Sequence, residues 1–131
     1  MSSESSILLN RAEELRVAQK ALLTATLVRD QSKVSLNDAQ SAILVARTED
    51  GTIDGKNAEL REAQAILAYR QDLAWQAIKD TYVETERAYQ IARSEYEWAK
   101  TALAVQAIVV NLAIAESGSS KLLAEVSLAS V

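Results

Sequence analysis

The sequence predicts an all-α fold: a long antiparallel helical hairpin or helical bundle, with a short C-terminal helix or tail, assembled as an oligomer. Three observations lead there. The 131 residues include no proline and only three glycines, so little in the chain interrupts long helices. Two of those glycines, Gly51 and Gly55, fall in one short turn-rich stretch, Thr48–Asn57. On both sides of that stretch apolar residues recur at the three-and-four spacing of a helix face.

Length and composition fit a single domain over residues 1–131. Hydrophobic residues make up 49% and charged residues 24%, the balance of a globular chain. The apolar set is mostly Ala, Leu, Val and Ile, with one Met and no Phe. Cysteine and histidine are absent. That excludes disulfides, thiol nucleophiles, the usual zinc ligands and the commonest general base. The net charge of −4 weighs against a surface dedicated to tracking nucleic-acid phosphates, which is normally basic. The start of the chain, Met1 to Ser6, has no basic region ahead of its short apolar run, so a signal peptide is not expected and a cytoplasmic location is.

The first arm covers about residues 5–47. Serines ahead of Ile7 suit helix capping. Leu8, Ala12, Leu15, Ala18, Leu22 and Ala25 then form one face, widened by Leu23, Leu27 and Val28. Ser35 and Asp38 resemble a capping box that would start a new helix. With no Gly or Pro nearby, an uninterrupted arm is the expectation, its stripe resuming at Leu36, Ala39, Ala42, Ile43 and Ala46.

The turn occupies residues 48–57. Its two Asp-Gly pairs favour a chain reversal. Asn57 suits the N-cap of the arm beginning at Ala58, with Glu59 placed well for the helix dipole. Asp50, Thr52 and Asp54 partly imitate a calcium loop. The twelfth position, however, is Arg61, where a bidentate glutamate is required, so a plain interhelical turn is the expectation.

The second arm covers about residues 58–116, with a possible restart at Thr81 and Glu84, another capping-box pair. Two seven-residue series run along it: Tyr82, Tyr89, Tyr96, Leu103 and Val110, and beside them Ile91, Trp98, Val105 and Leu112. Alanines lie between the series. Together they make a face wide enough for two neighbouring helices. From Ala102 to Ala115 the arm is apolar almost all round, broken only by Gln106 and Asn111. At about 14 residues this run is shorter than the ~20 that span a bilayer, so no transmembrane segment is expected. It asks instead for burial on every side, with Gln106 and Asn111 pairing across subunits. The two series from Tyr82 to Leu112, with Gln106 and Asn111, are therefore the expected interface. Glu116–Ser120 reads as a helix stop around Gly118, leaving residues 120–131 as a separate C-terminal segment.

No catalytic set stands out. Nothing is present to activate a nucleophile, no phosphate loop matches, and the carboxylates alternate with Lys and Arg as on solvated helices. A non-catalytic protein without cofactor or metal is expected. The aromatics could stack on bases beside Arg61, Arg70, Lys79, Arg87 and Arg93. The simpler account of a tyrosine stripe at heptad spacing is interface packing.

The stretch Asp54-Gly55-Lys56-Asn57-Ala58-Glu59-Leu60-Arg61-Glu62-Ala63-Gln64 resembles the hinge of a group of small helical-hairpin proteins of tailed phages. Those share a Gly-Lys-Asn turn, an arginine four residues after the asparagine, and a long second helix with periodic large residues. The resemblance covers the hinge closely and the arms in character. It implies a phage or prophage source, hence the host-cell cytoplasm or the virion. It also implies a neighbourhood of phage recombination and single-strand-binding functions. The leading expectation is an oligomeric assembly or adaptor protein whose partner is itself, with a further phage or host protein as a second candidate. The alternative is a recombination or replication accessory touching single-stranded DNA through the five basic residues named above.

Overall fold

The computed structural model describes residues 3–129, and side chains over residues 3–118. Helix α1 spans Ser3–Glu49, α2 spans Ala58–Gln71 and α3 spans Leu73–Ala129; no strand occurs among the described residues. The chain divides into two units: one joins residues up to Leu22 with those from Ala92 onward, and the other comprises Leu23–Ile91.

In the first unit, α1 and α3 run antiparallel. The Gln106 side chain donates to the Glu4 carbonyl at 3.0 Å, and the Arg11 guanidinium lies over the Trp98 ring, 5.4 Å from its centroid. Numbers thus rise along one helix as they fall along the other. The less exposed positions of α1 are Leu8, Arg11, Leu15, Ala18 and Leu22; those of α3 include Ala92, Tyr96, Ala99, Leu103, Gln106 and Val110. Both sets alternate spacings of three and four, the register of a coiled-coil seam. Ala18, Ala92 and Ala99 are small, so the backbones can approach closely there. Ala92, Ala99 and Val110 are the buried core here.

The second unit repeats this logic with a half-buried charge in the seam. Arg29 falls in the seven-residue register of Leu22, Leu36 and Ile43. Its guanidinium stacks on the Tyr89 ring, 3.8 Å from the centroid, and pairs with Asp30 at 3.2 Å and Glu86 at 3.9 Å. A polar group at one seam position fixes register, since sliding by a heptad would strand it among apolar neighbours. Leu36, Ile53, Ala65 and Ala68 are buried.

The turn is held by a compact polar network. Gly51 adopts φ +82°, a left-handed conformation that glycine reaches without steric cost. Asp50 accepts from the Thr52 amide at 2.9 Å and from Arg47 at 2.8 Å. The Gln64 carbonyl oxygen receives the amides of Asp54 and Gly55, at 3.1 and 2.9 Å, while its amide nitrogen donates to the Asp54 carboxylate at 3.0 Å. Arg61 donates to the Gly55 carbonyl at 3.2 Å, so the residue that spoils a calcium loop ties the turn instead. Asn57 caps α2, accepting from the Leu60 amide at 2.8 Å, and Ile53 is buried beneath the loop.

Two predictions arise at the turn. A Cβ on Gly55 would meet Leu60 Cγ at 2.7 Å and the Arg61 amide nitrogen at 3.0 Å. The backbone of α2 cannot yield as a flexible side chain would, so Gly55→Ala should cost ~1–3 kcal/mol in denaturant unfolding. Asp50 titrates below the ordinary carboxylate range because the Thr52 hydroxyl and amide, and then Arg47, favour its charged form. Its contribution to stability is therefore present above the ordinary aspartate pKa and fades as pH falls through its lower folded value. Asp50→Asn should lower Tm at neutral pH, where the charged form contributes, and converge with wild type at acid pH, so that the acid limb of the Tm-against-pH profile flattens.

Elsewhere two features differ from the sequence reading. The second arm is two helices, and the break lies at Asp72 rather than at residues 79–81. Thr81 back-bonds to the Ala77 carbonyl at 3.1 Å inside α3. Asp72 instead takes an extended backbone and caps α3, accepting from the Trp75 amide at 2.8 Å. Tyr69 and Trp75 stack across the break, 5.6 Å between centroids, and Gln76 reaches back to the Arg70 carbonyl. The helix stop expected at 116–120 does not form, because α3 continues through Gly118 to Ala129. One glycine costs a helix only about 1 kcal/mol, and Gly118 does not take the left-handed conformation that ends one. The side-chain packing expected of residues 120–131 lies outside the described residues. In α1 the uninterrupted arm expected through Ser35 is what forms, and Ser35 donates to the Gln31 carbonyl at 3.2 Å within the helix.

Candidate functional site

The two seven-residue series of the second arm separate. In the first, Tyr82, Tyr89, Tyr96 and Leu103 are half-buried and Val110 is buried, so this series lies in the seam within the chain. In the second, Ile91 is 54% exposed, Trp98 60%, Val105 55% and Leu112 58%. Seven-residue spacing keeps these residues on one stripe of α3. Ile91 belongs to the unit ending there, and the other three to the first unit. Ile108, 59% exposed, falls on the same stripe three residues after Val105.

Of the two polar residues in the uncharged run, Gln106 is engaged by Glu4 within the chain, whereas Asn111 is exposed. The first helix also carries apolar residues to solvent. In the first unit these are Ile7, Leu9 and Val17, and in the second they include Leu23, Leu27, Val34 and Val45. Sequence periodicity found Leu23 and Leu27 but not Leu9, Val34 or Val45; the seven-residue step from Leu27 to Val34 was the available signal.

A groove of about 700 Å³ lies between α1 and α3 in the first unit, with Val17, Ala18, Ala21 and Ala99 along it, Trp98 at its edge, and Glu13, Glu14 and Glu95 around it. Glu13 is held below the ordinary carboxylate range by its hydrogen bonds to Arg16, and Glu14 pairs with Arg11 at 2.9 Å. The rim is thus charged and the floor apolar.

The five basic residues of the nucleic-acid alternative do not form one free patch. Arg61 is committed to the turn, and Lys79 sits over the Trp75 ring, 5.3 Å from its centroid. Trp75, half-buried, stacks on Tyr69. Arg70, Arg87 and Arg93 form no ion pair among the described residues. No group of three acidic side chains is arranged to hold a metal among the described residues.

The accessible surface is 9505 Å², against about 6,800 Å² for a compact monomer of this mass. No side chain is fully buried among the described residues, and no polar one is buried. The core is a thin line of mostly small residues, and many larger hydrophobes face outward. Within residues Leu73–Gly118, α3 also contains an 18-residue stretch long and apolar enough to cross a membrane by length and composition, with 11% of it buried; only the described residues bear on this.

Fold and surface define an all-α protein in which α1 packs on α3 in hairpin fashion and large hydrophobes remain exposed on the outer faces. No family model, curated protein or solved structure matches the chain.

Proposed function

We propose that this chain is a non-catalytic, self-associating helical assembly or adaptor protein. One observation carries the reading. The accessible surface exceeds that of a compact chain of equal mass by about 2,700 Å², and large hydrophobes stand on the outer faces of both long helices. Apolar patches beyond a few hundred Å² mark interaction sites, and permanent interfaces bury about 2,000–5,000 Å² in total. The likeness of residues 54–64 to tailed-phage hairpin proteins supports a phage or prophage source, and with it a virion or host-cytoplasmic setting.

Tryptophan emission tests the reading. In a Trp75→Phe chain, Trp98 is the sole reporter. Self-association predicts blue-shifted emission shielded from acrylamide at micromolar concentration, moving to the red on dilution. Red-shifted, readily quenched emission at every concentration contradicts it. Titration of single-stranded DNA at low salt, where phosphate attraction is strongest, should leave the anisotropy of a labelled oligonucleotide unchanged.

A further inference from the structure

We infer that the occupant of the outer α3 stripe is the same stripe of a second copy, with Trp98, Thr101, Val105, Ile108, Leu112 and Ala115 forming a two-fold seam centred near Val105. This rests on the self-association proposed above and specifies the surface that performs it.

The spacing of these six residues alternates three and four, as coiled-coil seams require, and all six are exposed in the first unit. They are therefore a second seam on α3, separate from the Ala92, Ala99 and Val110 line that packs within the chain. Given self-association, charge selects the surface. A two-fold interface sets a surface against itself, so every charge in it meets its own kind nearby. On a chain of net charge −4, a self-interface is therefore best placed where charge is absent. From Thr101 to Ala115 there is no charged residue, and the flanking positions Ala104, Val109 and Asn111 are neutral as well. The outward stripe of α1 lacks this property: in the first unit Arg16 and Lys20 follow Leu9, and in the second Asp38 lies between Val34 and Val45. Interface centres are depleted of charge and enriched in aromatic anchors, which places Trp98 at one end of the charge-free run as an anchor.

The absence of cysteine makes the test clean. Val105→Cys, treated with a short thiol-reactive bis-maleimide, should give a covalent dimer in high yield. The reason is that a residue near the two-fold axis faces its own copy whether the helices run parallel or antiparallel. Val34→Cys, equally exposed on α1, should give little. Light scattering on both variants before cross-linking separates the two levels of the account. An oligomer that cross-links at residue 34 and not at 105 overturns this seam and leaves self-association standing. A single-chain mass overturns both. Recovery of the chain with floated anionic or neutral vesicles, with loss of the 105 cross-link, overturns the seam in favour of a lipid occupant.

Discussion

Replacing Val105 and Leu112 together by glutamate should leave the helices intact and reduce the assembly to single chains. In one chain both side chains point to solvent, at 55% and 58% exposure, and surface substitutions of that kind usually stay within ±0.5 kcal/mol. In a two-fold seam the same change places four carboxylates in a region being stripped of water. Burying unpaired charge there costs several kcal/mol, and each ~1.4 kcal/mol is tenfold in affinity. Sedimentation velocity should show loss of the larger species at micromolar concentration, with the far-UV dichroism of wild type. An unchanged sedimentation coefficient would remove this stripe from the interface.

The second large effect lies inside the hairpin. Ala99 is 3% exposed, the most buried of the core hydrophobic residues, and it lies where α1 and α3 approach around Ala18 and Ala21. Ala99→Leu inserts three carbons where the backbones meet. Overpacking of this kind costs ~1–3 kcal/mol, a fall in Tm on the order of 10 °C for a chain of this size. Ala104→Leu is the control: the same substitution five residues along, at an exposed position, should move Tm little. Equal effects at both positions would mean that the alanine line is not the contact surface between the helices.

The fold class was legible because its determinants are local. Absence of proline, two glycines in one turn and unbroken periodicity leave few alternatives to paired helices. The turn was readable to the level of its cap, since Asn57 acts through its own neighbours. The break at Asp72 was not. It is accompanied by stacking between Tyr69 and Trp75 and by a Gln76 contact back to Arg70, neither of which leaves a periodic trace. Thr81 and Glu84, which carry the capping pattern, stay within α3 because a threonine hydroxyl can equally bond back into its own helix. The two seven-residue series show the same limit. Periodicity placed both on one broad face. Only the packing of α1 against α3 shows that the tyrosine series is used within the chain and the Ile91, Trp98, Val105 and Leu112 series is left outside.

On the proposed reading, copies of the chain cover the outward hydrophobes. Sedimentation equilibrium of the full-length chain at micromolar concentration tests this most directly. A mass that is an integer multiple of 14.3 kDa, two or greater, is the result expected. A single-chain mass that persists across the whole concentration range would contradict it.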